Sequence, residues 1–144
     1  SNNIAVIIRD PFQLPTNADT DIDMPFKLPS ILQKAGILYA LANSNEMYRS
    51  RNLPFGAGMA AGFGLSKEEA LMAITSNPAK ILGIDDRTGT LEVGKDANIL
   101  ISEGDLLDMR TSKVTEAFIQ GRKIELKTKQ TELEKKYNTK YGIK

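Results

Sequence analysis

The spacing of hydrophobic positions changes along this chain, and each change predicts a different element. Ile4 to Ile8, within NIAVIIRD, is a short continuous apolar run rich in β-branched residues, which predicts a strand buried on both faces. PFQLPTNADTDIDMPF follows, crowded with prolines and short polar residues, and predicts a long loop. KLPSILQKAG predicts a short helix with Pro29 near its first turn and Gly36 as a left-handed stop. ILYALA, Ile37 to Ala42, predicts a second buried strand. Strand, loop, helix, strand is the order of a parallel βαβ unit.

After the loop NSNEMYRSRNL, the period becomes helical. Pro54 opens a helix through Phe63, and Gly64 ends it. Ser66 and Glu69 have the spacing of a capping box, with Leu65, Ala70, Leu71 and Ile74 as the apolar face behind it. Asn77-Pro78 predicts a further cap and first-turn proline for PAKILG, closed by Gly83. Beyond Gly83 the texture turns to β. NILIS, Asn98 to Ser102, predicts a strand, and KVTEAFIQGRKIEL predicts a hairpin with its turn at Gln120-Gly121. A polar helix rich in Lys and Glu is expected from Thr128 to Tyr141. The pattern thus divides the chain into an α/β part over 3–83, a β part over 84–126 and a basic helical tail over 127–144.

The stretch from Gly64 to Leu126 carries ordered signals: the capped helix with EEAL, T-x-N-P-A-K-x-L-G at Thr75 to Gly83, G-x-L-x-x-G-K-D-A at Gly89 to Ala97, and a final strand with Gly121-Arg122. Together with RNLPFGAG and AVIIRDP, this closely resembles the C-terminal end of metal-dependent amidohydrolases, especially the imidazolonepropionase-like group. The resemblance implies an α/β fold: the last two βα units of a TIM-like (β/α)8 barrel plus the C-terminal part of a small β-sandwich. A whole barrel takes about 250 residues, and this chain has 144. The resemblance therefore implies a C-terminal fragment of a hydrolase acting on C–N bonds, in non-peptide amides or dipeptides, that is not catalytic by itself. A noncatalytic binding or assembly module of the same descent is the alternative, and an unrelated domain with a lookalike ending is a third.

The family's active members hold zinc or another divalent metal with histidines and an aspartate at the end of the eighth strand. This chain has no His and no Cys. Carried over residue by residue, GILYALANSN puts Ser44 in the aspartate slot, with Asn43 and Asn45 adjacent. A neutral hydroxyl or amide is a poor zinc ligand and no general base near neutral pH. The expectation is therefore no catalytic residue, no metal and no cofactor held by this chain alone, although Glu46 lies close by. Arg49, Arg51 and Tyr48 follow the predicted strand end, where a guanidinium could clamp a ligand carboxylate. Structural ion pairing or plain solvent exposure is the plainer reading of them.

Other patterns have plainer readings. Asp19, Asp21 and Asp23 resemble the start of a calcium loop, but Met24 and Ser30 stand where glycine and glutamate are required. Gly56, Gly58 and Ala61 match G-x-G-x-x-A without the preceding strand a dinucleotide needs, which favours close helix packing. Asp96 is expected to make a turn hydrogen bond.

Composition changes this picture little. Net charge is +1, which gives no global field for nucleic acid, and no apolar run approaches a membrane span. The charge is uneven: Arg122 to Lys144 holds eight Lys/Arg against three Glu, leaving the rest of the chain at −4. That tail reads as a solvated helix or as a contact for an acidic partner. The opening Ser-Asn-Asn, with no initiating Met, is what a cut piece with a tag remnant would show. The expected partner is the missing N-terminal barrel portion. Without it, unpaired strand edges predict that the isolated chain associates with itself.

Overall fold

The computed structural model describes residues 4–10, 13–15, 17–43 and 47–143, without the side chains of 47–49. The βαβ expectation holds. β1 (Val6–Arg9) pairs in parallel with β2 (Tyr39–Ala42), Val6 opposite Tyr39 and Ile8 opposite Leu41, with α1 (Met24–Lys34) between them in sequence. A six-residue 3-10 helix, Met47–Asn52, leads into α2 (Leu53–Gly62). α3 (Lys67–Met72) and α4 (Ser76–Leu82) follow. β3 (Ile99–Ser102), β4 (Val114–Ile119) and β5 (Arg122–Ile124) form an antiparallel sheet, and α5 (Lys129–Tyr141) ends the chain.

Alternation on the strands decides where the core sits. Ile8, Tyr39 and Leu41 share one face and are buried with Ala57, Ala60, Leu65, Ala70 and Ala73 from the helices. The alanines matter because they let α2 and α3 lie close to the sheet. On the opposite face Ile7 is 57% exposed. β1 is therefore buried on one face rather than both, because no described element covers its Ile7 and Arg9 side. β2 does fulfil the expectation: Tyr39, Ala40 and Leu41 are all buried. Its outer edge is not bare either, since the Leu41 N–H donates to the Ala73 carbonyl at 2.9 Å.

Two helix starts differ from the sequence reading. α1 begins at Met24, so Pro25 takes the first turn and Pro29 lies inside the helix, fully buried. Its start is tied down by Lys27, which reaches Asp21 at 2.7 Å and Asp23 at 3.5 Å, and by Phe26 packing on Phe63 at 5.2 Å. These contacts outweigh the proline signal at position 29. α4 begins at Ser76 with Thr75 as its cap residue, leaving Asn77 buried within the helix and making no side-chain cap. The Thr75 hydroxyl instead donates back to the Leu71 carbonyl at 2.7 Å.

Other local signals are realised as read. The Ser66 N–H donates to Glu69 Oε2 at 2.7 Å, and the Glu69 N–H donates to Ser66 Oγ at 3.2 Å. The Ser66 N–H and the Ser66 hydroxyl, both donating to the Glu69 carboxylate, hold it below its usual range. Gln120 and Gly121 both have positive φ, 49° and 76°, the two-residue turn whose twist suits a hairpin.

Among the described residues two buried hydroxyls are unsatisfied, those of Tyr39 and Ser76. Tyr39 is fully buried and its hydroxyl has no hydrogen-bond partner. Burial, with the nearby Glu69 charge, pushes that phenol up to about 12. A lone hydroxyl in such a place costs about 1–3 kcal/mol. Tyr39→Phe is expected to leave stability unchanged or raise it by up to about 1 kcal/mol, measured as the urea midpoint. A clear loss would mean that the hydroxyl has a partner in solution.

Candidate functional site

The C-terminal ends of β1 and β2 lie side by side. The Asp10 N–H donates to the Ala42 carbonyl at 2.9 Å, which sets Asp10 beside the start of the Asn43 loop. Asn43 is half-buried and hydrogen-bonded or otherwise engaged. Ser44, Asn45 and Glu46, the aspartate slot among them, lie outside the described residues. Tyr48 and Arg49 sit on the 3-10 helix, their side chains likewise outside the description. Arg51 is on the same helix and exposed. The predicted residues are thus gathered after one strand end by the backbone.

Asp10 is the residue that the sequence reading passed over. It holds φ at +53°, and its side chain is only 17% exposed. Gln13 Nε2 donates to its carboxylate at 3.2 Å, and Arg9 Nε stands 3.9 Å away. Asp tolerates the left-handed region better than most residues. The signal was in the sequence, as a charged pair closing an apolar run before a proline.

The remaining candidates resolve into structural roles. Asp21 is held below the usual carboxylate range, first by the hydrogen bond from Lys27 and next by the Asp23 backbone N–H. With Asp23 it fastens the start of α1. Asp96 pairs with Arg87 at 3.1 Å, and its N–H donates to the Arg87 carbonyl at 2.8 Å, which closes the turn. Gly58 faces a neighbouring backbone: a Cβ there would lie 2.1 Å from the Leu107 carbonyl oxygen. Leu107 belongs to the β3–β4 connection and joins the main core. The same connection is fastened by Lys67 to Asp105 at 2.6 Å and closed by Asp108 to Arg110 at 2.9 Å. The hydrogen bonds from Arg110 hold the Asp108 carboxyl down at about 2. A groove of about 500 Å³ runs along this seam, lined by Phe55, Met59, Leu65, Leu107 and Met109. None of the strand-end residues lines it.

Among the described residues no three His, Cys, Asp or Glu side chains gather as a metal site would require. The sequence supplies neither imidazole nor thiolate. The donors present here therefore do not fit a complete zinc site on this chain alone.

The profile of the Amidohydrolase family matches residues 3–124. The chain belongs to the amidohydrolase family. Within it, this amidohydrolase chain is 46% identical over 56 residues to the imidazolonepropionase of Syntrophobacter fumaroxidans, covering 38% of this chain and 13% of that protein. It is 41% identical over 70 residues to the imidazolonepropionase of Brucella suis, covering 46% and 17%. The crystal structure of an amidohydrolase from Thermotoga maritima superposes with a TM-score of 0.65 at 34% identity, over 69% of this chain and 26% of that one. A putative prolidase from Bifidobacterium longum shares the fold, with a TM-score of 0.55 at 22% identity over 92% of this chain and 39% of that one. The chain thus spans only a minor part of these relatives' lengths.

Proposed function

We propose that this chain is the C-terminal part of an amidohydrolase-like hydrolase acting on C–N bonds, in non-peptide amides or dipeptides, and that these 144 residues are not catalytic by themselves. The observation that carries the reading is the family match over 3–124, alongside relatives of which the chain spans 13% to 17%. In this reading β1 and β2 are the last two strands of a (β/α)8 barrel, and their open face looks into it. The β part is the C-terminal share of a composite sandwich. Exposed Leu100 and Ile119 support that, since apolar side chains on one sheet call for a covering layer. The missing N-terminal barrel portion is the partner of both surfaces, and without it the isolated chain associates with itself.

A divalent metal in such an enzyme lowers the pKa of a bound water and polarises the scissile carbonyl. In the complete protein the upstream segment would have to supply its imidazoles. This chain would contribute the eighth-strand position, where Ser44 offers a hydroxyl in place of an anionic oxygen. That substitution favours a second reading, a noncatalytic binding or assembly module with a degenerate metal site. Arg49, Arg51 and Tyr48 would then anchor a ligand carboxylate.

Metal analysis tests the donor argument. The 144-residue chain should hold no stoichiometric zinc; one zinc per chain would sink it. For the protein at full length, an upstream H-x-H following a strand, bound zinc and amide hydrolysis would support the hydrolase. Absence of all three would support the binding module. If the histidines are there, Ser44→Asp should tighten zinc at least about tenfold, as restoring a missing ligand group does.

A further inference from the structure

α5 stands apart from the rest of the chain. It lies beyond the residues that match the family, and none of its residues is buried. It is nonetheless well specified. Thr128 and Thr131 exchange backbone-to-hydroxyl bonds at its start, at 3.1 and 3.2 Å, and Gly142 ends it in the left-handed conformation. A helix of this length is marginal in water unless an apolar face is packed.

Such a face is present. Leu133, Tyr137 and Tyr141 fall four residues apart and so form one line along the helix. The two tyrosine rings stack at 6.2 Å. Lys129, Lys136 and Lys140, spaced seven and four apart, run along one flank of that line. The line is exposed throughout, with Leu133 at 39% and Tyr141 at 63%.

Its complement lies at the end of α4. Leu82 is 68% exposed and Ile84 40%, and Asp85 and Asp86 follow directly. Both carboxylates are exposed and make no ion pair among the described residues. By contrast, Asp21, Asp96, Asp105 and Asp108 are each neutralised by a cation close in space. An apolar pair edged by unpaired carboxylates therefore matches an apolar line edged by lysines, of which Lys140 also stands 5.2 Å from the centre of the Tyr141 ring. The imbalance of the whole chain points the same way, with −4 before Arg122 and +5 from there on. α5 buries none of its residues against the rest of the described chain, which leaves its apolar line open to a partner.

We propose that α5 docks on the Leu82–Asp86 patch of a second copy, with the second copy's α5 returning the contact in a two-fold dimer. A helix of this length is about 20 Å long. One such contact is small, and two reciprocal ones are needed to approach the roughly 1,000 Å² of a specific interface. α5 lies outside the family match and the Leu82–Asp86 patch within it, and the inference stands whether or not the protein is a hydrolase.

Sedimentation velocity of the protein at full length, over a range of concentrations and at low salt, tests it. Dimer is expected for the wild type. Asp85→Lys with Asp86→Lys should weaken it at least about tenfold, as should Lys136→Glu with Lys140→Glu, because each set juxtaposes like charges. Combining the four should restore the dimer to within about threefold. Circular dichroism on each variant checks that it is folded. A wild type that stays monomeric would overturn the proposal. So would a dimer indifferent to either charge set, a combination that fails to restore it, or association seen only in the isolated 144-residue chain, where bare strand edges suffice.

Discussion

Gly58→Ala should destabilise the protein by about 3 kcal/mol, the upper range for overpacking a tight contact. Helix propensity alone predicts the opposite sign, since alanine is better than glycine within a helix by about 1 kcal/mol. The close approach wins because the new Cβ would stand 2.1 Å from the Leu107 carbonyl oxygen and 3.2 Å from Leu107 Cβ. A backbone carbonyl cannot swing aside as a side-chain tip can. The loop must lift off α2, and Leu107 leaves the core with it. Gly62 is the internal control. It lies on the same helix, but a Cβ there would meet nothing within 4 Å. Gly62→Ala should therefore be neutral or stabilising by up to about 1 kcal/mol. Urea denaturation of the two variants side by side decides the matter, and equal effects would refute the close packing.

Leu107→Ala is expected to cost about 2–5 kcal/mol, the range for emptying a buried leucine site. Leu107 is 6% exposed and is the side chain by which the β3–β4 connection enters the core shared by β1, β2 and the helices. Its loss should free amides of residues 103–112 and of α2 to exchange with solvent. The β3–β4–β5 sheet, with its own ladder, should keep its protection. The Lys67–Asp105 pair will not compensate, because exposed ion pairs contribute about 0–1 kcal/mol. Leu107→Ala and Gly58→Ala should also be non-additive, since both act on one contact. Hydrogen exchange that loosened β4 before the connection would contradict this account of how the two parts are joined.

Much of the fold was legible because it depends on short-range physics. The Ser66–Glu69 box, the Gln120-Gly121 turn and the Gly83 stop each need only a few neighbouring residues. The parallel pairing of β1 with β2 was legible from the order of elements, because parallel strands need a crossover of helical length. The start of α1 was not. Two prolines compete for the first turn, and the winner depends on Lys27 reaching back to Asp21 and Phe26 meeting Phe63. The β texture beyond Gly83 also takes in Thr90 to Val93. No strand forms there, and Leu91 and Val93 stay exposed, because a strand needs a partner edge that no local pattern supplies.

The candidate site divides the same way. That Arg49, Arg51 and Tyr48 follow a strand end could be read from the order of residues. That Asp10 closes the first strand could be read in the same way; that it stands beside the start of the Asn43 loop could not, because that follows from the β1–β2 register.

By itself the sequence determined the family, the kinds of element and the donors this chain lacks, all of which are properties of residue type and order. Tertiary structure alone decided which face of β1 is covered, why Gly58 has no room for a side chain where Gly62 has, and how a leucine of the β part holds the helices. Those depend on which atoms meet across long stretches of chain, and close packing makes such meetings specific to within a fraction of an ångström.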